Sequence, residues 1–375
     1  MNTPAMVPLA NPGAGYQALK TEIDTAVARA LGSGWYILGA EGRAFEAEYA
    51  AWLGTARAVG CGNGTDALAL ALRALGVGAG TAVATVSHTA VATVAAIEMA
   101  GATPVLIDID PLHYTMDPVE LGEVLAHPPA GLPPIRAIIA VHLYGQACDL
   151  GAILALGAQY GIPVIEDCSQ AHGATLDGKK LGTFSEVSCF SLYPTKNLGA
   201  LGDGGVVATS DAELADRIAA LRQYGWKTHY ISELVGVNSR LDEIQAAILR
   251  VKLGHLDAQN ARRQSIASAY DAALTGALLP PARRPGGSHV FHQYVLRVTD
   301  RTEVQAKLRA DGVATGIHYP VPVHLQSAYA GRIALGPAGC AATEVAAREV
   351  MSLPMFPQLT EEQVEQVCGA LQRLG

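Results

Sequence analysis

Lys196 is the residue in this sequence whose setting asks for chemistry. It stands in CFSLYPTKNLGALGDGG, two residues after Pro194, with Phe190, Leu192 and Tyr193 ahead of it and Gly199, Gly202, Gly204 and Gly205 behind. Surface lysines are ordinary. A lysine on a turn that leaves the core, with the strand-like GGVVAT after it, is instead placed to serve as an amine nucleophile. Three other stretches end an apolar run in polar groups. In CGNGTDALALALRAL, Gly64 and Thr65 precede a periodic apolar helix. Amides at a helix N-terminus with a hydroxyl beside them suit a phosphate, and a simple capped helix suits the same residues. In PVIEDCSQAHGA, Asp167 closes an apolar run, where a carboxylate needs a cation or several donors, or else caps the next turn. In GVNSRLDEIQAA, Asn238 and Arg240 precede another helix, as ligand contacts or as cap and surface residue. Taken together, a phosphate cradle that includes Ser191, a buried carboxylate and a loop amine are what pyridoxal phosphate requires. They serve its phosphate, its ring nitrogen and its aldehyde in turn.

These residues need a scaffold that gathers strand ends. Short apolar runs (AVAT, PVLIDID, IRAIIAVHLYG, IPVIEDC, VSCFSLYP, GGVVATS) alternate with helical stretches such as ATVAAIEMAGA and LGAILALGAQYG. That alternation predicts an α/β fold with βαβ units around a mostly parallel sheet, whose ligands collect beyond the carboxyl ends of the strands. From about residue 245 the pattern becomes long amphipathic helix and then a small α+β unit. The expected division is a large cofactor-binding domain, 1–250, and a smaller C-terminal domain, 251–375. PPARRPGGS, 280–288, reads as a flexible loop.

Composition narrows the classes. The 375 residues are 50% hydrophobic and 16% charged, with a net charge of -8, a balance suited to a compact enzyme and opposed to a nucleic-acid or anionic-membrane surface. The first twenty residues lack the basic start and unbroken apolar run of an export signal. Residues 76–97 carry no charge but include Ser87, His88 and several threonines and glycines, as a buried segment does and a membrane span does not. Cys61, Cys148, Cys168, Cys189, Cys340 and Cys368 are scattered without metal-ligand spacing, which predicts free thiols in a reducing cytoplasm and no metal site.

In order along the chain, GSGWYILGAEGRAFEAEYAAWLG, NGTDALALALRALGVGAG, VHLYGQACDL, IEDCSQAHGA, FSLYPTKNLGALGDGG, GVNSRLDEIQAAILRVKL, HQYVLR, IHYPVPVHLQ and SLPMFPQLTEEQ resemble the DegT/DnrJ/StrS sugar aminotransferases from residue 30 nearly to the end. The resemblance implies a fold type I, pyridoxal-phosphate-dependent aminotransferase acting as a homodimer with shared active sites. Its substrates would be a nucleotide-linked keto sugar and L-glutamate. Lys196 would hold the cofactor and shuttle the proton, Asp167 would partner the ring nitrogen, and Gln170 the ring oxygen. Gly64, Thr65 and Ser191 would hold the phosphate, with Asn238 reaching it from the other subunit. Tyr193, His318, Tyr319 and His324 would line the sugar-nucleotide pocket. Many relatives carry an aromatic that stacks on the cofactor where this chain has Ala90, and His88 is the nearby ring expected to bind the cofactor instead. AVHLYGQACDL, with His142, Tyr144 and Gln146, resembles members that aminate C3 of a dTDP-linked 6-deoxy keto-hexose, while amination at C4 shares much of that segment. Dehydrating relatives have histidine in place of the lysine, so the resemblance implies transamination.

Other classes fit less well. A nicotinamide-dependent dehydrogenase should open on a strand and G-x-G-x-x-G, absent from the first residues. A metallohydrolase lacks its ligand cluster, and a non-catalytic regulator on the same scaffold remains the alternative that turnover would exclude.

Overall fold

The protein is described here from a computed structural model, which covers residues 5–276, 278–280 and 282–374. The apolar runs form strands β1 (Arg57–Cys61), β2 (Ala82–Val86), β3 (Thr103–Ile107), β4 (Ile135–Val141), β5 (Val164–Asp167), β6 (Val187–Ser191) and β7 (Gly205–Thr209). Farther on, β8 (Tyr294–Arg297) pairs antiparallel with β10 (Val350–Leu353), while the short β9 (Ala334–Leu335) returns to the main sheet. That sheet has eight strands in the order β1-β7-β6-β5-β4-β2-β3-β9. Only β7 is reversed, lying antiparallel to both β1 and β6. Strands such as β2 and β7 are buried along their whole length, because helices cover both faces of a βαβ sheet. Burial on both sides is why these segments read as continuous apolar runs and not as alternating ones.

The helices that matter for the site are α1 (Lys20–Gly32), α2 (Ala40–Leu53), α3 (Gly64–Ala74), α4 (Val91–Met99), α5 (Glu243–Ala273), α6 (Ala341–Glu349) and α7 (Glu361–Gln372). The first half of α5 packs on α1 and α2, and its second half on α7. Its first residue, Glu243, is buried and accepts the backbone N–H groups of Gly39, Glu41 and Gly42 at 2.8, 2.8 and 2.9 Å. A carboxylate there satisfies the open donors at the start of α2.

Two cores result. One surrounds the main sheet; the other gathers Val7, Tyr270, Leu296, Met351 and Leu371. The division expected at residue 250 falls within α5, a single helix of 31 residues. Val7 belongs to the second core and β9 to the first sheet, so the chain crosses between the two units more than once. Residue 281 of the expected flexible loop lies outside the described residues. Nearby Arg284 ties the loop down, donating from its backbone N to Gln146 Oε1 at 3.2 Å and from Nε to Ala147 O at 3.1 Å. No helix among the described residues is long and apolar enough to cross a membrane.

Candidate active site

The carboxyl ends of β1, β2, β4, β5 and β6 open onto a cleft of about 650 Å³. After β1, Asn63 caps α3, its side chain accepting from Asp66 N at 2.8 Å. Gly64 is the first residue of that helix, and a Cβ on it would stand 2.6 Å from Ser191 Cβ at the end of β6. Only glycine lets the helix terminus and the strand end meet that closely. The amides of Gly64 and Thr65 therefore reach the cleft beside the Ser191 hydroxyl, a donor set suited to a phosphate.

Asp167 ends β5 in the middle of the sheet and is 5% exposed. Its Oδ2 accepts from Thr93 Oγ1 and its Oδ1 from Ser169 N, each at 3.1 Å. Its neighbour Glu166 points to the opposite face and accepts from the backbone of Gly182, Phe184 and Ser185, so the strand pleat separates a site carboxylate from a scaffold carboxylate. Lys196 faces Asp167 across the cleft floor. Burial pushes its amine down from the ordinary 10.5 to about 8, with Asp167 pulling the other way. A lysine so shifted keeps a useful neutral fraction near neutral pH. Its turn is pinned on both sides: Lys196 N donates to Tyr193 O at 2.8 Å, Asn197 Nδ2 donates to Asn260 Oδ1 and Val290 O, and Lys252 Nζ donates to Gly199 O.

The outer wall comes from late in the chain. Gln170 Oε1 accepts from Tyr144 N at 2.8 Å, and its Nε2 donates to Tyr319 OH at 3.1 Å. His318 pairs through Nδ1 with Ser352 Oγ at 2.8 Å, and burial together with Lys196 holds its pKa down at about 4. Burial raises the Tyr319 phenol to about 12. Both rings are thus uncharged around neutral pH.

The family model for DegT/DnrJ/EryC1/StrS aminotransferases matches residues 17–372. The chain belongs to this family. It is 44% identical to the dTDP-3-amino-3,4,6-trideoxy-alpha-D-glucose transaminase of Streptomyces venezuelae, with 97% of this chain and 95% of that one covered. It is 42% identical to the UDP-N-acetyl-3-dehydro-alpha-D-glucosamine 3-aminotransferase of Acidithiobacillus ferrooxidans, covering 98% and 97%. The crystal structure of S. venezuelae DesV in complex with a ketimine intermediate superposes with a TM-score of 0.94 at 43% identity, over 99% of each chain. The resemblance read from the motifs is borne out, as is the fold type I aminotransferase architecture. The protein is a sugar aminotransferase that uses pyridoxal phosphate, and the donor set of the cleft fits that group: amides and a hydroxyl at one end, a buried carboxylate at the middle and an amine on the floor.

Against this aminotransferase frame, the cleft brings together nine of the expected residues: Gly64, Thr65, Asp167, Gln170, Ser191, Tyr193, Lys196, His318 and Tyr319 all line it. Three do not. His88, expected at the cofactor, is buried outside the wall, its Nε2 paired with Tyr144 OH at 2.8 Å and its ring against Tyr114. Strand β2 ends at Val86 and the chain bends before α4, so the side chains at 88 and 90 diverge and Ala90 alone reaches the cleft. His324, expected at the sugar nucleotide, is also buried outside the wall, its Nδ1 bonded to Ser87 Oγ at 2.7 Å. Asn238 is exposed and lies off this chain's cleft wall. The sequence reading missed Thr89, Thr93, His292 and Gln293, which also line the cleft. The last two stand within HQYVLR, a motif the family resemblance already contained.

Proposed function

We propose that the protein transfers the amino group of L-glutamate to C3 of a dTDP-linked 3-keto-6-deoxyhexose, with pyridoxal phosphate held by Lys196, Asp167, Gln170, Gly64, Thr65 and Ser191. The observation that carries the transaminase chemistry is the lysine of lowered pKa facing a buried, donor-supported carboxylate across one cleft. Bound there, pyridoxal phosphate supplies the electron sink that lowers the barrier to removing the donor's α-proton. The chain's own part is distinct. Asp167, whose carboxylate oxygens accept from Thr93 and Ser169, favours a proton on the group facing it. Lys196, its amine pKa lowered to about 8, would take the donor's α-proton and return it to the carbon on the far side of the transferred nitrogen. Tyr319 and Gln170 orient the outer edge of the ligand and close part of the cleft to water.

The C3 assignment rests on the two relatives compared above. Their names differ in nucleotide and in sugar, yet both place the nitrogen at position 3. A homodimer with shared sites is supported by the exposure of Asn238 near the cofactor end of the cleft: the adjacent Ser239 donates to Asp66 Oδ2 at 2.6 Å, on the first turn of α3. It is supported as well by exposed Trp35, Tyr36, Tyr230, Ile231 and Val235, apolar area that a second copy would cover. The free cysteines agree with a cytoplasmic location.

The deciding experiment converts the protein to its amine form with glutamate and then measures kcat/KM for 3-keto and 4-keto isomers of dTDP- and UDP-linked sugars. A shift of one ring carbon, about 1.5 Å, is enough to lose a near-attack geometry. Preference for a 4-keto isomer or for UDP would overturn the substrate and leave the transaminase. Cofactor binding without either half-reaction would instead point to the regulator.

A further inference from the structure

The phosphate end of the cleft contains a carboxylate as well as donors. Asp66, on the first turn of α3, lines the cleft beside Gly64 and Thr65. Asn63 Oδ1 takes the Asp66 amide at 2.8 Å, and Ala67 N begins the helical ladder by donating to Asn63 O at 3.0 Å. The amides of Gly64 and Thr65 are left without an acceptor among the described residues. An acidic side chain on a first turn is drawn to such open amides, and it repels a phosphate that needs them.

Ser239 holds that carboxylate. The residue is 3% exposed, and its backbone N donates to Arg222 O at 2.9 Å, which fixes where the side chain stands. Its Oγ accepts from Gly62 N at 2.9 Å and donates to Asp66 Oδ2 at 2.6 Å. The direction of both bonds is forced: the Gly62 N–H can only donate, so the hydroxyl's single proton goes to Asp66. Asn63 Nδ2 adds a second donor to the same carboxylate oxygen at 3.1 Å. The loop is packed around this arrangement, for a Cβ on Gly62 would stand 3.1 Å from Asp66 Oδ2 and 3.2 Å from Ser239 Oγ. Ser239 is itself outside the cleft wall, so anything it does for a ligand it does through Asp66 and the loop.

We propose that Ser239 is a positioning residue for the cofactor's phosphate. By tethering the Asp66 carboxylate and the Gly62 amide to one hydroxyl, it keeps the Gly64 and Thr65 amides open to the phosphate. The inference rests on the reading of Gly64, Thr65 and Ser191 as the phosphate cradle.

The test compares pyridoxal phosphate with pyridoxal, which lacks the phosphate, as ligands of the full-length protein freed of cofactor. In Ser239→Ala the dissociation constant for pyridoxal phosphate should rise about tenfold, while that for pyridoxal stays within about twofold. Adding Asp66→Asn to Ser239→Ala removes the charge that the serine restrained and should recover most of the lost affinity. Equal weakening of both ligands would mark a general prop of the fold and overturn the proposal. So would unchanged affinity for pyridoxal phosphate in Ser239→Ala, or no recovery in the double variant. A wild-type protein that binds pyridoxal as tightly as pyridoxal phosphate would instead overturn the phosphate cradle itself.

Discussion

The two walls of the cleft are built in different ways. The inner wall, which faces Asp167 and Lys196, is made of strand ends and one helix terminus, placed by the backbone pairing of β1, β7, β6 and β5. The outer wall carries His292, Gln293, His318 and Tyr319 and is joined to the first by a few scattered bonds, two of them backbone ones: Gln293 N to Tyr144 O at 3.2 Å and Val290 N to Gly145 O at 2.9 Å. Tyr144 OH donates to His318 O, and Gln170 bridges Tyr144 N and Tyr319 OH. Tyr144 itself holds a left-handed backbone, φ 61°, a strained state that persists where surroundings over-determine it. The inner wall therefore tolerates little change. The outer one hangs on interactions worth about 1 kcal/mol each, and specificity can be retuned there without disturbing the chemistry.

The most severe break of the inner wall is Lys196→Ala. On the proposed function it removes both the covalent anchor and the proton carrier, and turnover should fall by about 10⁴-fold or more. Borohydride reduction of the wild-type protein followed by peptide mapping should label Lys196; a label on Lys179 or Lys180 would disprove the assignment. Asp167→Asn keeps the shape and the Thr93 contact but removes the charge, so the glutamate half-reaction should slow about 10²–10³-fold while the cofactor stays bound. Wild-type rates in stopped flow would show that another carboxylate serves.

The lysine also predicts a pH dependence. The neutral amine is the reactive form, and its pKa is lowered to about 8. The rate at which cofactor-free protein captures added pyridoxal phosphate should therefore rise about tenfold per pH unit up to 8 and level off above it. A rise continuing towards 10.5 would mean an unperturbed lysine. Gly64→Ala forces a Cβ to within 2.6 Å of Ser191, and the displaced helix end should weaken cofactor affinity roughly tenfold, measured by equilibrium dialysis.

The smallest effect belongs to the outer wall. Tyr144→Phe removes the hydroxyl that links His88 to the His318 carbonyl. One such bond is worth about 1 kcal/mol, so KM for the sugar nucleotide should rise about fivefold with the glutamate half-reaction unchanged. If instead both half-reactions slow together, the two walls are not independent.

Legibility follows the same division. Lys196, Asp167, Gly64, Thr65 and Ser191 were readable because each lies immediately beyond an apolar run, and a βαβ sheet brings all its strand ends to one edge. His88 and His324 were misplaced because motif membership says that a residue is near the site and not which way its side chain leaves a bend. Thr93 was invisible: on the first turn of α4 it reads as one more helix residue, and its bond to Asp167 spans 74 positions. Lys252 and Arg263 read as the polar face of an amphipathic helix, yet α5 is covered on that side too.

The sequence by itself determined the strands, their parallel arrangement and the family chemistry, since apolar periodicity and local turn residues are properties of neighbouring positions. Only the tertiary structure decided which side chains enter the cleft, how the late segments with His292 and His318 flank it, and that Lys252 and Arg263 on α5 are buried. Those outcomes depend on contacts between residues tens to hundreds of positions apart, where packing and desolvation, and not local propensity, set the direction of a side chain and the cost of its charge.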